Sequence, residues 1–226
     1  MSGHRRVVPM ILIPALVAGL LTVPAGASSA SSARKDLLRL SDMPKGWSSS
    51  TSGENNNSGN FPGGSQLASC IGVPVSVINN NAPGAQSPEF SSKNELQTVG
   101  DSVSVYKKAS GARTDYDSLV NAKTPNCMSQ VLNGSAKSAF DASFGKGSTV
   151  GTVEASRLPA SAFPRGTANV VLYFPVTSQG TTLNVELVIT DHVDGKLEQS
   201  VQFISIGSPF PATLLKKLTA TANGRI

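Results

Sequence analysis

Residues 168–206, ANVVLYFPVTSQGTTLNVELVITDHVDGKLEQSVQFISI, decide the fold. Three runs, Ala168 to Thr177, Thr181 to Val193 and Lys196 to Ile206, are rich in Val, Ile, Leu, Phe and Thr and are separated by glycine-bearing turns. That pattern reads as three successive antiparallel strands. With Gln179-Gly180 as a two-residue turn, Val176 faces Leu183, Phe174 faces Val185, Leu172 faces Leu187 and Val170 faces Ile189, apolar against apolar throughout. For the second hairpin, a two-residue Asp194-Gly195 turn would set Leu187 against Gln202 and Ile189 against Ser200. A three-residue turn, Val193-Asp194-Gly195 with Gly195 left-handed, pairs Leu187 with Val201 and Val185 with Phe203, and is the expected connection. The other face then carries Tyr173, Glu186, Val188, Thr190, His192, Glu198, Ser200, Gln202 and Ile204.

The neighbouring segments extend this core. After Gly207-Ser208-Pro209 a helix is expected, with Phe210, Leu214, Leu215 and Leu218 on one side and Lys216 and Lys217 behind. Upstream, Thr149 to Leu158 reads as a further strand. Val99, Asp101, Val103 and Val105 alternate with Ser102 and Ser104 in another, which ends at Lys107-Lys108. Between them, a helix from Ser110 carries Ala112, Tyr116, Leu119 and Val120 on one stripe. Thr124-Pro125 opens a second with Met128, Val131 and Leu132, and a third piece runs from Ser135 to Phe144. The expected class is α+β, a mainly antiparallel sheet of about five strands with helices packed on its apolar face.

The N-terminal part is looser. Residues 48–69 and 79–88 are mostly Ser, Gly and Asn without apolar periodicity, and read as flexible loops. Ahead of them Asp36 to Leu40 forms a short helix stopped at Pro44, and Trp47 packs as a plug. Arg5-Arg6, the apolar run Met10 to Val23 and the small residues Ala25-Gly26-Ala27 have the three parts of a secretory signal. Residues 1–27 are therefore expected to be removed, leaving 28–226 as one domain without a membrane span, outside the cytoplasm, either secreted or associated with the cell wall. Of 19 basic residues Arg5 and Arg6 leave with the signal, so 17 remain against 14 acidic ones, a net charge of +3. So modest an excess argues against a nucleic-acid partner.

The chain has two cysteines, Cys70 and Cys127, both in the exported part. Where thiols can oxidise they are expected to pair. A zinc site would need three or four ligands, and the exported chain adds only His192, so no metal and no cofactor is expected. His192 follows Asp191, but adjacent strand residues point to opposite faces and cannot form an acid–base dyad. There is no glycine-rich phosphate loop and no Gly-x-Ser-x-Gly elbow, and no catalytic residue is assigned. The polar sheet face with Tyr173, Glu186, His192 and Gln202 has two readings: a concave ligand surface, or the half-solvated outer face that antiparallel sheets usually have.

Several short motifs in order resemble a known family. They are Leu40-Ser41-Asp42-Met43-Pro44-Lys45-Gly46-Trp47, Cys70-Ile71-Gly72-Val73-Pro74, Ser87-Pro88-Glu89-Phe90, Val103-Ser104-Val105-Tyr106, Pro125-Asn126-Cys127 and Gly207-Ser208-Pro209-Phe210-Pro211. The chain resembles, over roughly residues 37–222, exported actinobacterial proteins similar to the extracellular sensor domain of PknH-type kinases. The resemblance implies a sheet-and-helix sandwich with a ligand cleft, no catalysis, and a cell-envelope setting in a high-GC Gram-positive bacterium. The chain is expected to differ from the kinase form in lacking a kinase domain and a membrane helix, and it has one cysteine pair where that domain has two. The expected function is a secreted, monomeric, non-enzymatic sensor-like module for a small or cell-envelope ligand. The alternative is a structural or protein-interaction component of the cell wall that acts through residues 48–69.

Overall fold

The computed structural model describes residues 31–50, 63–79 and 82–226. The expected signal segment, 1–27, lies outside them. The meander at the centre is formed by β7 (Ala168–Ser178), β8 (Thr181–Asp194) and β9 (Leu197–Ile206), numbered in chain order with the strands described below. The β7–β8 register is the expected one, with Leu172 opposite Leu187 and Phe174 opposite Val185. Its Gln179-Gly180 turn has positive φ at both residues, 51° and 77°, as a type I′ turn requires.

The β8–β9 register differs from expectation. Asp194 pairs with Leu197 around a two-residue Gly195-Lys196 turn, so Leu187 faces Ile204 and Ile189 faces Gln202. Gly195, at φ 57°, supplies the positive φ that the first position of a type II′ turn needs. The expected register gives one continuous apolar face, whereas the protein buries both. In the observed pairing Leu187 meets Ile204 on one face while Val188 meets Phe203 on the other. A shift by an odd number of residues exchanges the faces of β9 relative to β8.

Among the described residues the sheet has nine strands rather than about five, in the order β1-β3-β4-β9-β8-β7-β5, with β2 on β4 and β6 on β7. The long β4 (Gln97–Val105) pairs with β9 and extends the apolar pattern, Val99 opposite Phe203. The additional strands are three-residue edge pieces: β1 (Ser48–Ser50), β2 (Gly84–Gln86) and β3 (Glu89–Ser91). Single strand 149–158 is in fact two, β5 (Ser148–Val150) and β6 (Glu154–Ser156), both on β7. Val150 faces Val176 and Glu154 faces Tyr173, so one strand spends four steps where the other spends three, the signature of a bulge.

Helices α1 (Gly64–Ile71), α4 (Thr124–Asn133) and α5 (Lys137–Ser143) cover one face, where Val170, Leu172, Phe174, Leu187 and Ile204 meet Leu67, Met128, Leu132 and Phe140. A single helical turn, α2 (Val75–Ile78), and the amphipathic α3 (Ala109–Val120) complete that layer. The opposite face is also closed. Helix α6 (Ala212–Asn223) and the N-terminal strap pack Leu215, Leu218, Leu38 and Met43 onto Phe90, Val99, Val171, Val188, Val201 and Phe203. Trp47 is half-buried against the same cluster, in the plugging role expected of it.

The loops expected at 48–69 and 79–88 need correction. Residues 48–50 are β1, 64–71 are α1 and 84–86 are β2, with 51–62 and 80–81 outside the described residues. Leu67, Ala68 and Ile71 give α1 one apolar stripe barely two turns long, stabilised by packing rather than by intrinsic propensity. Cys70 of α1 is bonded to Cys127 of α4, with Cα atoms 5.7 Å apart across a sequence separation of 57. The short helix expected at 36–40 is replaced by single 3₁₀ turns at Arg34–Asp36 and Leu40–Asp42. Among the described residues no helix is long and apolar enough to cross a membrane.

Candidate functional site

Tyr173 lies directly opposite Glu186 on β8 and opposite Glu154 on β6, so the three side chains form a row on one sheet face. The Tyr173 hydroxyl donates to Glu186 Oε1 at 2.9 Å. Glu186 Oε2 accepts from Ser205 Oγ at 3.1 Å and from the Phe210 backbone N–H at 2.5 Å. With three donors on two oxygens the buried carboxylate is a satisfied acceptor, and it fixes two separate things: the tyrosine ring and the start of the C-terminal segment. Burial, followed by the Glu186 bond and charge, pushes the Tyr173 phenol up to about 12.

A cleft of about 360 Å³ opens over this row. Its floor is Tyr173, Glu186 and Asn184, one wall is Thr152 and Glu154, and the other is Gly207-Ser208-Pro209. That second wall is tied down twice, by Gly207 N–H donating to Asn184 O at 2.8 Å and by the Phe210 N–H on Glu186. Gly207 takes φ 82°, which lets the chain leave β9 sharply at the wall's base. At Gly151 a Cβ would sit 2.5 Å from Pro175 Cγ, so only glycine lets the β5–β6 bulge lie this close to β7.

The other two residues of the expected ligand face are elsewhere. His192 shares the face of Glu186 but lies six residues further along β8, roughly 20 Å away at the rise of an extended strand. Its Nδ1 is 3.1 Å from the Gly166 carbonyl, at the other end of the sheet. Gln202 is on the opposite face, 1% exposed beneath the helices, between Ile189 and Gly100. The cause is the β8–β9 register: Ser205, not Gln202, sits beside Glu186. Sequence reasoning missed Glu154 and the Gly207-Ser208-Pro209 wall. The cross-strand position of Glu154 depends on a bulge whose local trace is the single Gly151, while the wall residues sit in a motif already noted for the resemblance.

A second polar cluster lies on the helix-covered face under α3. The Tyr106 hydroxyl bonds both Asp115 and, at 2.5 Å, Glu198 Oε2. A phenol has one proton to donate, so one of these carboxyls must keep its own and donate it back. Burial pushes Asp191 up to about 7 and Glu198 well above the ordinary carboxylate range, with the Asp115 charge raising both further. Among the described residues no group of three or more His, Cys, Asp or Glu side chains is arranged to hold a metal ion.

Fold and site together define an α+β protein with one antiparallel sheet closed on both faces and a polar cleft at its edge. No protein-family model and no curated protein matches the sequence. Among solved structures, the extracellular domain of PknH from Mycobacterium tuberculosis is a weak structural neighbour. The TM-score is 0.33 with 11% identity, and the match spans 62% of this chain and 63% of that one. At that level no residue role is carried across.

Proposed function

We propose that this chain is an exported, non-enzymatic binding module that holds a small or cell-envelope ligand in the cleft above Tyr173. The observation that carries the reading is the hydrogen-bonded Tyr173–Glu186 pair at the floor of a cleft of about 360 Å³, a polar anchor presented within a concave surface. Support for binding without catalysis comes from how the charged groups are used. Both oxygens of Glu186 are committed to fixed donors, and His192, the histidine of the exported part, points to a backbone carbonyl away from the cleft. Export is supported by the composition of residues 1–27 and by the Cys70–Cys127 bond.

Native mass spectrometry of the protein purified from its own culture medium tests the reading. A discrete retained mass is expected in the unaltered protein, absent in Tyr173→Ala and kept in His192→Ala. Retention by Tyr173→Ala would place the ligand elsewhere. No retained mass in any form would favour a cell-wall interaction protein.

A further inference from the structure

We infer that the cleft selects a ligand carrying a positively charged amine, seated on the Tyr173 ring between Glu154 and Glu186; this rests on the cleft being the binding site. The three side chains stand on adjacent strands, where directly opposed residues are about 5 Å apart, so the ring has a carboxylate on either side. Glu186 and Glu154 are the charged residues that line the cleft, and no Lys, Arg or His lines it. The exported chain as a whole carries net +3, so the negative cleft is a local arrangement.

The available donors point the same way. The Tyr173 hydroxyl spends its proton on Glu186 and offers a ligand only a lone pair. The Gly207 N–H of the wall and the Phe210 N–H just beyond it are turned inward to Asn184 and Glu186. The Glu154 side chain is exposed and makes no hydrogen bond or ion pair among the described residues, which leaves its carboxylate at the rim of the cleft. Tyr173, 36% exposed, presents an aromatic face backed by an anion, the arrangement that attracts an ammonium group. Pro175 and Pro209 supply apolar wall for the methyl or methylene groups beside such a nitrogen. An anionic ligand would meet two like charges, with only the neutral side chains of Thr152, Asn184 and Ser208 to donate to it.

The test compares choline with its uncharged isostere 3,3-dimethylbutan-1-ol, read by the ring resonances of Tyr173 in protein labelled at tyrosine and assigned with Tyr173→Phe. Choline is expected to shift Tyr173 saturably, with the isostere about fivefold weaker or more. Raising the salt from about 20 mM to about 300 mM should weaken choline and leave the isostere unchanged. Glu154→Gln, an exposed change that leaves the fold alone, should weaken choline about threefold without touching the isostere. Equal binding of the two probes, or a choline shift indifferent to salt and to Glu154→Gln, would overturn charge selection while leaving the cleft as a binding site. No shift at Tyr173 with either probe would overturn it as well, and the cleft itself would then stand or fall on the retained-mass experiment.

Discussion

The two faces of the sheet are closed by different means. Under α1, α4 and α5 the layer is mainly apolar, with Phe140, Phe144 and Phe174 packed edge to face at centroid distances of 5.2–5.5 Å, and a disulfide holds α1 to α4. The opposite face is closed by α6 and by a strap at residues 33–43 that has little regular structure and is fastened through polar anchors. The Leu38 N–H donates to buried Asp101 Oδ2 at 2.6 Å, and Gln199 Nε2 donates to the same carboxyl. Arg225, near the end of the chain, grips both oxygens of Asp42 at 2.8 Å and the Leu37 carbonyl. Helices bring their own backbone hydrogen bonds and need only apolar contact, whereas an irregular strap must find partners for its amides in the sheet below. Polar groups in β-strands facing the strap are therefore the fastenings of that layer, and the cleft sits where one of them, Glu186, also holds the chain entering α6.

Loss of the disulfide should give the largest effect and separate the two faces most clearly. Closing a loop across 57 residues is worth about 4 kcal/mol in the chain-entropy model. A Cys70→Ser, Cys127→Ser double variant should lose about that much, with amides of α1 losing hydrogen-exchange protection before those of α6. Equal loss of protection in α6 would show that the two layers unfold as one unit.

A matched pair of carboxyl replacements sharpens the comparison at smaller scale. Glu186→Gln leaves buried donors facing an amide and should cost about 2 kcal/mol in urea denaturation, loosening the Gly207-Ser208-Pro209 wall. Asp191→Asn, on the helix-covered face, removes a carboxyl whose Oδ1 is buried without a hydrogen-bond partner. It should be neutral or stabilising by about 1 kcal/mol at neutral pH. Similar costs for the two would mean that Asp191 is also a fastening.

A pH dependence opposite to ordinary acid denaturation is also expected. Burial raises Asp101, Asp191 and Glu89 to about 7 in the folded chain, from 3.8 for the aspartates and 4.5 for the glutamate. For Asp101 the Leu38 N–H, Gln199 and the Arg225 charge oppose the rise, and for Asp191 Ser200 opposes it while Asp115 adds to it. Between those limits the folded state holds more protons than the unfolded one, so stability falls as pH rises and levels off above about 7. A fall in stability from about pH 5 to about pH 8 is expected in thermal unfolding, and a smaller fall in Asp191→Asn. A flat or rising profile would show that these carboxyls ionise in the fold without cost.

Much of the framework was legible in the chain itself. The Gln179-Gly180 hairpin was, because one register alone sets four apolar residues against four, and helices α3 and α4 were, because Ala112, Tyr116 and Leu119, then Met128, Val131 and Leu132, recur at helical spacing. The β8–β9 register was not. Leu197 to Ile206 carries apolar residues on both faces, Val201 and Phe203 on one and Ile204 and Ile206 on the other, so alternation alone cannot choose. Three-residue edge strands and the brief stripe of α1 carry too few side chains to show a period. Of the four residues expected on one sheet face, Tyr173 and Glu186 stand opposite each other because their pairing depends only on the legible hairpin. Gln202 was misplaced and His192 separated from the pair for reasons that lie outside any one strand.

Local patterns that repeat within one hairpin or one helix are thus determined by the sequence: the β7–β8 pairing, the positions of α3 and α4, and the Tyr173–Glu186 contact. The tertiary structure alone decided that both sheet faces are buried, and hence which way β9 turns. That choice depends on covers from distant parts of the chain, the strap at 33–43 and helix α6 at 212–223, which bury Val188 and Phe203 as firmly as the helices bury Leu187 and Ile204.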